Sequence, residues 1–158
     1  LRVYACLKGA SHAERAGVAA VRAAERAAEM DSLAGYAGFT TRVEAVRDGF
    51  LAFLDKAQAD GKTVAAYGAA AKGNTFLNYC GVGAGRIAFC VDRNPAKQNT
   101  LLPGSQVPVK KVEALFEDTP DYIVILPWNL KAEISGQLSG LRAKGAKFVT
   151  AVPDIDVF

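Results

Sequence analysis

Apolar and polar positions alternate along this chain in two different textures. From His12 to Met30 the sequence is rich in alanine, a strong helix former, and Ser11 with Glu14 three residues later offers a capping box. Gly35 and Gly38 interrupt it. A second helix is expected after Thr40 or Thr41, because Val43, Val46, Phe50, Phe53 and Leu54 recur at helical spacing until Asp60-Gly61. Beyond Gly61 short runs that are apolar throughout take over: TVAAY (63–67), IAFCV (87–91), YIVIL (122–126) and KFVTAV (147–152). Between them lie helix-forming stretches at about 72–79, 111–116 and from Asn129 to about Lys144, the last closed by Gly145. The opening heptad LRVYACL (1–7) reads as one further, isolated strand.

Strands that are apolar on both faces and alternate with helices imply a parallel sheet covered on both sides. Right-handed crossovers then give an α/β, Rossmann-like fold, here preceded by a helical segment. The expected organisation is a strand remnant of an upstream domain over 1–8, a helical segment packing on the main domain over 9–60, and the Rossmann-like domain over 61–158.

Composition narrows the function without deciding it. With 51% apolar and 22% charged residues the chain can build a core, and no apolar run is long enough to cross a bilayer. A net charge of +3, with no dense basic run, gives no case for nucleic acid, and no membrane partner is expected. Cys6, Cys80 and Cys90 form no CxxC pair, and His12 is the sole histidine. These point to a reduced cytoplasmic protein with no metal site in this chain. A single histidine near one end cannot build a Ser-His-Asp or Cys-His arrangement, and no paired carboxylates stand out, so no catalytic residue is assigned. The chain begins with Leu1, as an excised domain would, although processing explains that equally.

Candidate chemistry gathers where open parallel sheets bind ligands, beyond the carboxyl ends of the strands. Gly68 and Gly73 occupy the first and third positions of a GxGxxG-like turn, with Ala70 in the middle. A helix N-terminus there, with Lys72, Asn74 and Thr75, would suit a phosphate or diphosphate; alternatively the glycines only permit a tight turn. Asp92 follows the next strand about twenty residues beyond Gly73, the offset at which dinucleotide enzymes bind a ribose. It therefore reads as a ligand group or as a loop cap. Arg93 and Lys97 lie in the following loop with Asn94 and Gln98, and can contact phosphate or stay solvated. Trp128, the only tryptophan, follows the third strand with Asn129; the first can stack on a ligand or pack, the second can bind or cap.

Three ordered strings carry a family resemblance: YGAAAKGNTFLNYCGV, VDRNPAKQNTLLPGSQVPV and PDYIVILPWNLKAEI. Together they resemble the C-terminal domain of bacterial S-adenosylmethionine-dependent sugar C-methyltransferases, over roughly Val43 to Pro153. The chain departs from that pattern at Asn99-Thr100, where a glycine and a bulky polar residue are expected. The resemblance implies that the intact protein also carries a zinc-binding domain and a central domain. The central domain would hold S-adenosylmethionine and supply the catalytic base. This domain would help hold a nucleotide-linked keto-deoxysugar, dTDP-linked or similar, at the interdomain cleft, and would need no cofactor of its own. Methyl transfer would not occur without the central domain. The substrate-binding or interface residues implied are Lys72, Asn74, Thr75, Asn78, Asp92, Arg93, Asn94, Lys97, Gln98, Trp128 and Asn129, with Gly68 and Gly73 shaping the turn. Two other readings stand beside it: an NAD(P)-binding oxidoreductase domain, and a docking module that binds no ligand.

Overall fold

The computed structural model describes residues 2–158 and divides them into two compact units, one ending at Arg42 and the other running from Val43 to Phe158. In the first unit, α1 (Ala16–Ala27) buries no side chain, as its small alanines allow. It starts after Arg15 with no side-chain cap, so the Ser11–Glu14 capping box does not form. It also stops short of Met30, because Glu29 turns into the left-handed region at φ 55. Residues 2–7, expected to be a strand, form no ladder with any neighbour, and an unpaired strand leaves its backbone groups unsatisfied. Leu1 lies outside the described residues.

Helix α2 (Phe39–Ala59) begins one residue before Thr40, which places both threonines inside its first turn rather than at the cap. All but its first four residues belong to the second unit, where Phe50, Leu54 and Ala57 are buried against the sheet. The sheet-bearing unit therefore extends back to Val43, well before the change of texture at Gly61.

The remaining elements are β1 (Val64–Tyr67), α3 (Ala71–Tyr79), β2 (Cys90–Val91), β3 (Thr100–Leu101), β4 (Pro108–Lys110) and α4 (Ala114–Asp118), then β5 (Tyr122–Ile125), α5 (Lys131–Gln137), α6 (Ser139–Arg142), β6 (Lys147–Thr150) and β7 (Asp156–Val157). They build one sheet in the order β3-β4-β2-β1-β5-β6-β7, parallel except for the two-residue edge strands β3 and β7. All four strands expected in the second unit are present. The second is shorter than its apolar run, although Ala88 donates to the Val64 carbonyl at 2.9 Å and extends the pairing. β4, β3 and β7 were not expected, since two- and three-residue segments carry no periodicity of their own. The expected helix from Asn129 to Lys144 is broken at Leu138 into α5 and α6.

Alternation along the strands sorts the core into two faces. Val64, Ala66, Cys90 and Val124 face α2 and α3, joined by Phe50 and Leu77. Ala65, Tyr67, Val91, Ile123 and Ile125 face the other way, packed on Ile134 of α5 and Leu141 of α6. Since α3 leads from β1 to β2 on one side and β5 lies on the other, the strand order reverses between β1 and β5. Their carboxyl ends form the crevice where such sheets take ligands.

At the opposite end Asp121 ties the starts of β1 and β5 together. It accepts from the Thr63 amide (2.8 Å), the Thr63 hydroxyl (2.9 Å) and Lys62 (2.9 Å). The Thr63 amide bond, followed by Lys62, holds its carboxyl at about 2, below its ordinary value of 3.8. A depressed carboxylate stabilises the fold above its unfolded pKa and loses that contribution as pH falls through the folded one. The urea midpoint should therefore drop between pH 4 and pH 2, and Asp121→Asn should flatten that drop while lowering the midpoint at pH 7. A pH profile unchanged in the variant would remove Asp121 from the acid response.

Candidate functional site

β1 ends at Tyr67, and Gly68 turns the chain at φ +94. A Cβ on Gly68 would meet Pro127 Cγ at 2.5 Å, and one on Gly73 would meet Leu126 Cβ at 2.6 Å. Both glycines are therefore required by packing against the segment that follows β5, whatever the turn binds. Ala70 precedes α3 in an extended conformation, and its amide is used locally, donating to the Gly68 carbonyl at 2.8 Å. Among the described residues no acceptor engages the next three amides, those of Ala71, Lys72 and Gly73. The first turn of α3 also carries no acidic side chain. Free amides at the positive end of a helix dipole favour an anion by about 0.3–1 kcal/mol, more when partly buried.

Lys72 adds a full charge at this turn. Its Nζ donates to Asn129 Oδ1 and lies 4.4 Å from the centroid of the Trp128 ring. Trp128 is half-buried, edge-on to Phe76 at 6.5 Å. It thus packs on α3 and presents a face to Lys72 at once. Asn129 sits in a short 3-10 turn, Trp128–Leu130, where its side chain holds Lys72 instead of capping a helix. Thr75 is exposed on α3, and Asn74 Oδ1 is buried there with no hydrogen-bond partner.

The loop after β2 is clamped onto the same turn. Asp92 accepts from the Ala69 amide at 2.8 Å through Oδ2 and from the Asn94 amide at 2.8 Å through Oδ1. Lys97 donates to the Ala69 carbonyl at 2.8 Å and lies 3.3 Å from Asp92 Oδ2. Gln98 donates to the Asp92 carbonyl at 2.9 Å, and Asn94 Oδ1 accepts from the Ala96 amide at 3.0 Å. Asn99 takes φ 60, a conformation glycine adopts freely and asparagine tolerates, which accommodates the departure at this position. Asp92, Asn94, Lys97 and Gln98 are thus engaged by the loop and the turn, while Arg93 is exposed. Asn78 faces a different turn, donating to the Pro103 carbonyl at 3.0 Å over Gly104. Asp92→Ala would strand two amides and a half-buried ammonium. It should cost about 1–3 kcal/mol in urea denaturation whether or not ligand is present; a variant as stable as the parent would show the clamp to be ornamental.

Sequence reasoning overlooked Tyr67 and Gln137. The Tyr67 hydroxyl lies 3.4 Å from Gln137 Oε1, on the face of the sheet opposite α3. Tyr67 had a signal, as the one polar-tipped residue at the end of a buried strand run; Gln137 had none.

Neither buried thiol is poised for chemistry. Burial pushes Cys80 up to about 11 and Cys90 up to about 12. Among the described residues no three His, Cys, Asp or Glu side chains gather to hold a metal ion, and no helix is long and apolar enough to cross a membrane.

The family described as "C-methyltransferase C-terminal domain" matches residues 1–153. The chain is 36% identical over 152 residues to the C-methyltransferase NovU of Streptomyces niveus, a match covering 96% of this chain and 36% of that relative.

Proposed function

Because the chain belongs to the family of C-methyltransferase C-terminal domains, we propose that it binds the nucleotide-linked sugar on which such an enzyme acts. The observation that carries this reading is the first turn of α3, with three unengaged amides, no acidic residue and Lys72 beside them at the sheet's switch point. A diphosphate matches that donor set: the amides and Lys72 bind its oxygens, and Trp128 closes the side next to Lys72.

The chain spans about a third of its relative's length, and the chemistry is proposed to lie in the rest of such a protein. A central methyltransferase domain, docked on this one, would hold S-adenosylmethionine, which supplies the methyl group. A base there would remove the proton beside the sugar's keto group, and the enolate carbon would take up the methyl as its bond to sulfur breaks, releasing S-adenosylhomocysteine. A zinc-binding domain would precede it. Lys72 and its neighbours contribute binding and orientation, and no bond-making group is assigned to this chain. The proposed setting is the cytoplasm, with neither nucleic acid nor membrane as partner.

Asp92, the acid of the oxidoreductase reading, is engaged by the Ala69 and Asn94 amides in this structure. Calorimetric titration with dTDP, UDP, NADH and S-adenosylmethionine side by side tests the proposal. Saturable binding of dTDP or UDP, without the other two, is expected. NADH binding alone would overturn it, and silence from all four would favour the docking module.

A further inference from the structure

The lysines along the carboxyl edge of the sheet are held in two ways. Lys97 is ion-paired with Asp92 at 3.3 Å, Lys110 with Asp118 at 3.0 Å, Lys111 with Glu117 at 2.9 Å, and Lys131 with Asp156. Lys72 has neutral partners instead: its Nζ donates to Asn129 Oδ1 and lies 4.4 Å from the centroid of the Trp128 ring. A carboxylate in their place would cancel the charge that an incoming anion meets. An amide oxygen and an aromatic face orient the ammonium and leave that charge whole.

Both partners are anchored. Trp128 is edge-on to Phe76 at 6.5 Å, and the Phe76 ring lies 4.9 Å from that of Phe50, which is wholly buried. The Pro127 ring fills the space where Gly68 lacks a side chain, so the turn that carries Asn129 is pressed against the turn that leads to Lys72. Lys72 itself is exposed, on a long stem that loses rotamer freedom whenever its head is fixed. Holding the head beforehand removes part of that cost from binding.

Resting on the diphosphate reading above, we infer that Asn129 and Trp128 are positioning residues. They act on the ligand through Lys72, holding its ammonium beside the first turn of α3 with its charge uncancelled. Asn129 tethers the ammonium and Trp128 supports it from the side.

A double-mutant cycle read by calorimetric titration with dTDP tests this role. Asn129→Ala is expected to weaken dTDP about three- to tenfold. In the Lys72→Ala background the same change should alter affinity by less than about twofold, because its route to the ligand is gone. Asn129→Asp would tether the ammonium but cancel its charge, and should weaken dTDP more than Asn129→Ala does. A second readout needs no ligand. Trp128 is the only indole in the chain, and its fluorescence emission should change alike in Lys72→Ala and Asn129→Ala, since both take the ammonium off the ring. Unchanged emission in Asn129→Ala would overturn the tether. A full loss of affinity from Asn129→Ala in the Lys72→Ala background would show direct contact with the ligand and overturn the positioning role. Tighter dTDP binding by Asn129→Ala would make the bond a barrier to the ligand and overturn it too, as would Asn129→Asp binding dTDP as tightly as the parent. Failure of the parent protein to bind dTDP would overturn the diphosphate reading itself, and the positioning role with it.

Discussion

Gly68→Ala is expected to destabilise the protein by about 2–5 kcal/mol, measured by urea or thermal unfolding. Two costs add. The backbone at φ +94 strains any residue with a Cβ, by about 1–2 kcal/mol. The new methyl would also stand 2.5 Å from Pro127 Cγ, and relieving such an overlap costs about 1–3 kcal/mol. Pro127 cannot yield easily, because its ring is part of its backbone and Leu126 before it is buried beneath α3. Gly73→Ala should behave similarly through its 2.6 Å approach to Leu126 Cβ, without the backbone strain. A Gly68→Ala variant within 0.5 kcal/mol of the parent would mean that the β1–α3 turn shifts freely, and the site built on it would lose its geometry.

Lys72→Ala is expected to leave the fold intact and to weaken dTDP about ten- to a hundredfold. Charge-assisted hydrogen bonds contribute about 1.5–3 kcal/mol, which is that range of affinity. The side chain is exposed, and its partners Asn129 and Trp128 are held by their own turn and by Phe76, so stability should change little. Because a phosphate contact is largely coulombic, the parent's affinity should also fall with added salt, and the variant's should fall less. Unchanged dTDP affinity in Lys72→Ala would remove Lys72 from the site.

The same residues show how far the sequence could be read. The four apolar runs after Gly61 became parallel strands because most of their positions are buried, on both faces of the sheet. β4 escaped notice because Pro108–Lys110 is a strand by virtue of its ladder to β2, not by pattern. At the site, Lys72, Trp128 and Asn129 lie in segments far apart in sequence, yet the carboxyl-end rule brought them to one edge, and their side chains meet there. What the rule could not say is which polar groups already have partners. Asp92 reads as a ligand group or a loop cap and Lys97 as a phosphate contact or a solvated charge, and the structure engages both with Ala69, through its amide and its carbonyl. Gly68 and Gly73 read as a phosphate motif or as a plain tight turn, and the contacts with Pro127 and Leu126 supply a packing reason for both glycines.

The most direct test of the central claim is amide chemical-shift mapping of the isotopically labelled protein during titration with dTDP. The largest shifts are expected at the amides of Ala71, Lys72 and Gly73, with the Trp128 indole moving at the same ligand concentration. Saturation of dTDP with those amides unmoved would contradict the account, because the ligand would then be held somewhere other than the first turn of α3.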